Sequence, residues 1–302
     1  MKKLIEFLNE QNIDFEENVD GKRLCSFHVG GVVRVVAKPE SAKQLVALYD
    51  FLDGNGIENI ILGKGSNVLI SDKGYDGVVV SLSKCSSVDF DITDEKSIVA
   101  GAGASMMKLA NFAQQNGLSG LEFAHGIPGT VGGGVYMNAG AYGGEISQVL
   151  TSCLVFDRES GELFLAYGTQ CDFSYRHSVF MDNKNLIVVF ATFKLKSDDP
   201  EAIKARMAEM RTKRGASQPL EFPSAGSTFK RPEGHFAGKL IEDCGLKGYT
   251  VGGAQVSEKH AGFVINRGVA TADDIKAVVE HVQKTVKERF DVSLECEIEF
   301  VE

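Results

Sequence analysis

The sequence predicts an α+β protein, and three observations carry that reading. Runs of β-branched residues at strand length recur along the chain, as at 29–37 and 186–196. Between them lie segments with apolar residues at helical spacing, such as Leu45, Leu48, Tyr49 and Leu52, or Ile275, Val278, Val279, Val282, Val286 and Phe290, which mark a buried face. The third is a glycine-dense stretch, 121–145, with glycine at 126, 129, 132, 133, 134, 140, 143 and 144, a density that neither a helix nor a strand interior is expected to tolerate. Glycine lets main-chain N–H groups approach a ligand without a Cβ in the way, and successive amides form anion-binding concavities. Apolar Phe123, Ile127, Val131, Val135, Tyr136, Met137 and Tyr142 interleave there, which a flexible linker would not show. The stretch therefore reads as a loop around the phosphates of a nucleotide cofactor.

In order, the first residues read as a short amphipathic helix: two lysines open the chain, but Glu6, Asn9 and Glu10 interrupt any signal-like apolar run. Strand 29–37 precedes a helix introduced by Ser41 and stopped by Gly54 and Gly56. Residues 59–82 read as strand, turn, strand, turn, strand, with the first turn Gly63-Lys64-Gly65-Ser66-Asn67 able to meet a phosphate. A strand at 97–103 and a helix at 105–116, capped by Gly117, lead into the glycine stretch. Strands follow at 146–157, 163–167 and 186–196, the first two joined by a hairpin at 158–161. A charged helix from Pro200 is expected to close at Gly215, with a domain boundary near it. Thr271 and Asp274 form a capping box before the last helix. The chain closes in a strand, 293–301, that puts Glu295, Glu297 and Glu299 on one face.

A formal charge of −9 argues against a general nucleic-acid or membrane-surface binder, which would need basic surface, and no run of eighteen apolar residues suits membrane insertion. Six cysteines without a CxxC pair fit the reduced thiols of a cytoplasmic protein, and with six dispersed histidines no metal centre is indicated. Neither a Walker motif nor a GxGxxG fingerprint is present. Residues 204–247 carry nine Lys or Arg against five Asp or Glu, which suits a polyanionic substrate. Arg206, Arg211, Lys213 and Arg214 belong to the helix after Pro200 and read equally as its solvated face.

Several ordered motifs then act together: GKGSN at 63, GLEFAHGIPGTVGGGVYMNAGAYGGE at 120, YRHSVF at 175, PSAGSTFKRPEGHFAGKLIE at 223, GGAQVSEKHAGFVIN at 252 and LECEIEF at 294. Nearly the whole chain resembles the second type of the UDP-N-acetylenolpyruvoylglucosamine reductase family, also called UDP-N-acetylmuramate dehydrogenases, of peptidoglycan synthesis, cell-wall biogenesis and cell division. The resemblance implies FAD bound in a two-part region of the vanillyl-alcohol oxidase-like type, with a C-terminal α+β substrate-binding domain. The expected boundaries are 1–80 for the first FAD-binding subdomain, 81–215 for the second and 216–302 for the substrate domain. NADPH is the implied co-substrate, and UDP-N-acetylglucosamine-enolpyruvate the implied substrate.

By the same resemblance, Gly63, Lys64, Gly65, Ser66 and Asn67 surround the cofactor. So do Gly126, Ile127, Pro128, Gly129, Thr130, Gly132 and Gly133, together with Asn138, Ala139, Gly140, Ala141 and Gly143. Arg176 matches the arginine near the enolpyruvyl carboxylate, Ser227 the proton donor and Glu297 its acidic partner. The chemistry wants these types: a guanidinium for charge developing beside a carboxylate, and a hydroxyl to protonate carbon. Lys230, Arg231, Lys239 and His260 match or neighbour substrate positions. Three features depart from the pattern: His125 replaces a small residue, Cys296 replaces a proline, and only 51 positions separate Arg176 from Ser227, too few for the tyrosine-bearing loop of the first type.

Overall fold

The computed structural model describes residues 1–85, 90–94 and 96–302. The described chain divides into two compact units, each drawn from three segments: Met1–Glu16, Val35–Gly63 and Gly77–Thr212 form the first, and Glu17–Arg34, Lys64–Asp76 and Lys213–Glu302 the second.

The first unit is built on a five-stranded antiparallel sheet ordered Glu162–Tyr167, Leu150–Asp157, Leu186–Lys194, Ser97–Gly101 and Phe90–Asp94. The expected hairpin joins the first two strands, and Gly161 there takes a positive φ of 73°. Helix Met106–Gln115 buries Met106, Leu109, Ala110 and Ala113, the face its period marks out. Gly117, at φ 66°, ends it as expected. Helix Ala42–Gly54 starts where the Ser41 hydroxyl accepts from the Gln44 N–H, and it buries Leu45, Leu48, Tyr49 and Leu52. Asn59–Ile61 pairs in parallel with Val78–Val80.

In the second unit, helix Ala272–Phe290 packs on a three-stranded antiparallel sheet of Thr250–Val251, Ala254–Val256 and Val264–Asn266. Its start is the capping box read from the sequence: the Thr271 hydroxyl accepts from Asp274 N–H at 3.1 Å, and the Asp274 carboxylate accepts from Thr271 N–H at 3.0 Å. The Asp72 carboxylate takes two more of the first-turn donors, Ala272 and Asp273 N–H, at 2.9 and 3.0 Å. Ile275, Val278, Val279, Val282 and Val286 are at most 1% exposed, each burial stabilising by about 1.5–3 kcal/mol, whereas Phe290, expected on the same buried face, is the last residue of the helix and 37% exposed.

Four expectations need correcting. The strand placed at 29–37 begins at Val32, because Gly30 takes a φ of 111°. The strand placed at 146–157 begins at Leu150 after a 3₁₀ turn, Ile146–Gln148. The helix from Pro200 passes through Gly215 to Ser217; one interior glycine costs only about 1 kcal/mol and does not end a helix by itself. The terminal strand is two pairings rather than one: Cys296 bridges Phe229, and Glu299–Val301 pairs in parallel with Val68–Ile70. Alternation holds from Leu294 to Ile298 and is lost at Phe300, which is 39% exposed. Among the described residues no helix is long and apolar enough to cross a membrane. The six cysteines are free thiols, and burial pushes the Cys85 thiol up to about 11.

Candidate active site

The glycine stretch is more ordered than its composition suggests. Glu122–Gly126 is a 3₁₀ helix and Val131–Tyr136 a short α-helix with three glycines inside it, contrary to the expectation that no helix would accept them. Two devices hold that helix. Thr130 caps it, its hydroxyl accepting from Gly133 N–H, and Val131 and Gly132 N–H donate to the Ala104 and Ala102 carbonyls, each at 2.8 Å.

The glycines then divide by what a Cβ would meet. A Cβ on Gly63 would lie 2.4 Å from Thr130 Oγ1, on Gly132 2.9 Å from Ala102 Cβ, on Gly134 2.9 Å from Met106 Sδ, and on Gly144 2.6 Å from the Phe123 ring. These four are bare because protein packs against them. Gly133 and Gly143 differ: nothing lies within 4 Å of a Cβ on Gly143, and on Gly133 only Thr130 Oγ1, at 3.3 Å. Both are exposed, so here the main chain is open to a ligand. On the preceding 3₁₀ turn, the half-buried His125 has its Nδ1 shielded from solvent without a hydrogen-bond partner among the described residues. Burial, helped by the charge of Arg211, holds its imidazole below the usual range, so it is neutral at pH 7. Exposed backbone at Gly133 and Gly143, with an unsatisfied imidazole nitrogen on the same stretch, fits a cofactor that brings phosphates and ring heteroatoms.

Three bonds tie this stretch to the segment carrying Arg176. Ser178 donates its hydroxyl to the Tyr136 carbonyl, Asn138 Nδ2 donates to the Ser174 carbonyl at 2.9 Å, and Arg176 Nη2 donates to the Gly140 carbonyl at 2.9 Å. Asn138 is fully buried, and its Oδ1 accepts from Ser147 N–H at 3.0 Å. Both ends of its amide are therefore engaged within the protein. Arg176 takes a left-handed φ of 54° inside a tight turn closed by reciprocal Ser174–His177 main-chain bonds of 3.2 Å, and its guanidinium lies 5.3 Å from the Tyr175 ring centroid. The same unit contains Glu122, 8% exposed, which accepts from Ser119, Gly120 N–H and Arg206. Burial works to raise this carboxyl, but the Arg206 guanidinium and the main-chain bonds outweigh it and hold it below the usual range.

In the second unit, Gly65 has a φ of 60°, and a Cβ there would lie 1.8 Å from the Leu24 carbonyl oxygen. Its own carbonyl accepts from Ser26 N–H at 3.0 Å. Asn67 reaches the other way, its Nδ2 donating to the Glu297 carbonyl at 2.8 Å while its carbonyl accepts from Glu299 N–H at 2.9 Å. Glu297 thus lies at the junction of the two pairings of the terminal segment. On its other side, Glu297 N–H donates to the Thr228 carbonyl at 2.8 Å and Lys230 N–H to the Glu295 carbonyl at 2.9 Å. Thr228, fully buried, fixes the segment further: it donates its N–H to the Gly262 carbonyl, and its hydroxyl accepts from Val264 N–H. The structure therefore brings Lys64–Asn67, half-buried Ser227 and half-buried Glu297 into one hydrogen-bonded neighbourhood, from stretches 70 to 230 residues apart in the chain.

The basic segment is less concentrated than its composition implies. Lys230, Lys239 and Lys247 pair with Glu295, Asp243 and Glu242, and Arg231 lies over the Phe236 ring at 4.6 Å. His260 sits edge-on to Phe263, its Nδ1 accepting from Gly262 N–H at 3.1 Å, and burial pushes its imidazole down. The sequence marks Asn138 as a cofactor contact, and the structure adds its bonds to Ser174 and Ser147; Ser178 and Thr228 carry no sequence signal for the bonds they make. The left-handed turn at Ser174–His177 gave no glycine signal, because arginine occupies the strained position.

Comparison with known proteins agrees with this geometry. Residues 33–166 match the model of an FAD binding domain, and residues 218–301 match the C-terminal domain of UDP-N-acetylenolpyruvoylglucosamine reductase. The chain is 47% identical over 300 residues to the UDP-N-acetylenolpyruvoylglucosamine reductase of Clostridium novyi, an alignment covering 99% of this chain and 95% of that one. It is 47% identical over 299 residues to the enzyme of that name from Caldanaerobacter subterraneus, covering 99% of this chain and 97% of the other. The solved UDP-N-acetylenolpyruvylglucosamine reductase of Thermus caldophilus superposes with a TM-score of 0.79 at 34% identity, covering 96% of this chain and 99% of that one. With relatives this similar along essentially its whole length, the chain belongs to the UDP-N-acetylenolpyruvoylglucosamine reductase family of FAD-dependent oxidoreductases.

Proposed function

We propose that this chain reduces the enolpyruvyl ether of UDP-N-acetylglucosamine-enolpyruvate to UDP-N-acetylmuramate, a step of peptidoglycan precursor synthesis, with NADPH as reductant. FAD, when bound, would supply the hydride chemistry that joins NADPH oxidation to reduction of the enolpyruvyl carbon. The observation that carries the reading is Arg176, a cation held in a strained turn and bonded to Gly140 of the glycine stretch. Its guanidinium meets the negative charge that develops on the substrate's carboxylate and adjoining carbon, with little reorganisation left to pay for. Ser227 protonates that carbon through its hydroxyl, and Glu297 acts as its acidic partner. Gly63–Asn67, the turn 126–133 and residues 138–143 hold FAD, with Gly133 and Gly143 offering bare main chain. Lys230, Arg231, Lys239 and His260 serve the uridine diphosphate end. The expected boundary at 80/81 separates the two FAD-binding subdomains, and that at 215/216 divides cofactor from substrate duties.

The test follows the visible spectrum of the purified protein. NADPH should bleach the oxidised flavin band, and the enolpyruvyl nucleotide should restore it. Ser227→Ala should leave bleaching intact and abolish reoxidation by substrate. If the variant reoxidised at the wild-type rate, Ser227 would not be the proton donor, and if NADPH failed to bleach the wild type, the reductant is wrong.

A further inference from the structure

Within the second unit, residues 24–28 link the Lys64–Asn67 turn to the segment that carries Ser227. The link is itself a fixed piece of chain. His28, at a left-handed φ of 56°, donates its N–H to the Cys25 carbonyl at 3.1 Å, and the buried Cys25 thiol donates to the Val29 carbonyl at 3.1 Å. Phe27 is fully buried, and its carbonyl accepts from Asn266 Nδ2 at 2.9 Å. Asn266 is 3% exposed and cannot swing away, because its Oδ1 accepts from Gly268 and Ala270 N–H at 2.7 and 3.1 Å.

From this anchored turn Ser26 bonds in two directions. Its N–H donates to the Gly65 carbonyl at 3.0 Å, and its hydroxyl donates to the Ser224 carbonyl at 2.7 Å. There is no slack on the Gly65 side: a Cβ there would lie 1.8 Å from the Leu24 carbonyl oxygen and 2.9 Å from Cys25 Cα, so main chain rests directly on main chain. On the other side, the Pro223 carbonyl accepts from Asn266 N–H at 2.9 Å, and Thr228 is held by Gly262 and Val264. The short span between these pins contains buried Ala225, Gly226 at a φ of 75° and half-buried Ser227. Ser26 thus joins the upstream pin of the Ser227 span to the Gly65 turn.

We propose that Ser26 is a positioning residue for protonation: through the Ser224 carbonyl it holds the Ser227 hydroxyl in register with the Lys64–Asn67 turn. The role rests on the reduction proposed above, in which the two hydrogens added across the enolpyruvyl double bond come from different groups. Misplacing one of them by about an ångström can cost roughly a hundredfold in rate.

Flavin-loaded wild type, Ser26→Ala and Ser26→Thr are reduced with NADPH and then mixed with the enolpyruvyl nucleotide, in H2O and in D2O. Ser26→Ala keeps the N–H bond to Gly65 and deletes only the hydroxyl. Bleaching should stay within about twofold of wild type, while reoxidation slows by roughly tenfold or more. The solvent deuterium effect on reoxidation should grow, because the proton step has become limiting, and the substrate concentration at half-saturation should not change. Ser26→Thr retains a hydroxyl and should recover most of the rate. Without NADPH or substrate, amide hydrogen exchange across 224–228 should quicken in Ser26→Ala alone. Val286→Ala, a core substitution on the last helix, shows what lost stability does by itself and should leave the ratio of the two half-reactions unaltered. Ser26→Cys, nearly isosteric, replaces Ser26→Ala should that variant fail to hold flavin. Reoxidation at the wild-type rate in the hydroxyl-free variant, equal slowing of both half-reactions, or equal slowing in Ser26→Ala and Ser26→Thr overturns the positioning role and leaves the reaction standing. A wild-type flavin that the enolpyruvyl nucleotide does not reoxidise overturns the reaction, and the role of Ser26 with it.

Discussion

Asn138→Ala isolates the link between the glycine stretch and the catalytic arginine. The substitution deletes two hydrogen bonds, Nδ2 to the Ser174 carbonyl at 2.9 Å and Ser147 N–H to Oδ1 at 3.0 Å, from a side chain with no solvent exposure. Each is worth about 1 kcal/mol net, and an abandoned buried partner adds about 1–3 kcal/mol. Ser174 is exposed and can turn to water, so the larger penalty applies only to the half-buried Ser147 N–H. The backbone adds a little more, because Asn138 has a φ of 44°, which asparagine tolerates better than alanine. The sum is about 3 kcal/mol, to be read as a shift in urea midpoint at constant slope. With the Ser174 anchor gone, the Arg176 turn loses one of its three ties to the glycine stretch, so reoxidation by the enolpyruvyl substrate should slow more than bleaching by NADPH. A loss below about 0.5 kcal/mol with unchanged reoxidation would refute the positioning role. If flavin dissociated while stability held, Asn138 would be a cofactor contact after all.

Two further substitutions separate packing from ligand contact. Gly65→Ala places a Cβ 1.8 Å from the Leu24 carbonyl oxygen at a φ of 60°, so it should cost more than about 2 kcal/mol and depress the thermal midpoint with or without FAD. Gly143→Ala, at a φ of 85° with open space around it, should cost only about 1 kcal/mol while lowering flavin occupancy; equal stability losses in the two variants would contradict the division. Glu122→Gln removes the buried partner of Arg206, which keeps Asp198 and is 40% exposed. The expected loss is therefore about 1–2 kcal/mol rather than the 3–5 kcal/mol of a fully buried pair. Because the folded carboxyl lies below its ordinary 4.5, this stability is present above that pH and is lost as pH falls through the lower, folded value. Wild type and Glu122→Gln should accordingly differ at pH 7 and converge in acid. A gap that widened on acidification would reverse the sign.

Local pattern made the helices legible. The capping box at Thr271 and Asp274, the apolar period of 275–286 and the terminator Gly117 are one-dimensional signals that tertiary structure only had to accept. The strands were legible as runs but not in their ends, because the start at Val32 depends on Gly30, and the split of 293–301 depends on which distant strand each half meets. The residue types at the candidate site were visible through the motifs that carry the family resemblance. Their supports were not, since nothing in the sequence says that Asn67 reaches a carbonyl 230 residues away or that the Asn138 amide bonds the Ser174 carbonyl.

Glycine density turns out to serve geometry twice over. Where protein packs on the bare positions, as at Gly63, Gly132, Gly134 and Gly144, the chain is pinned in a path that side chains would forbid. Along the same path, alternate residues 136, 138 and 140 each bond to one of 178, 174 and 176, so the pinned stretch is also the template for the arginine turn. Close-packed segments pass displacement on instead of absorbing it. A change that lifts the 131–140 segment should therefore move Arg176, even where it touches no substrate. Such variants should lose cofactor affinity and substrate-driven reoxidation together, whereas Arg176→Met, which leaves the packing of 131–140 in place, should lose only the second. Flavin affinity measured across both groups separates the two cases: if Arg176→Met released flavin as readily as the packing variants, the arginine would belong to the cofactor's binding set and the template argument would fall.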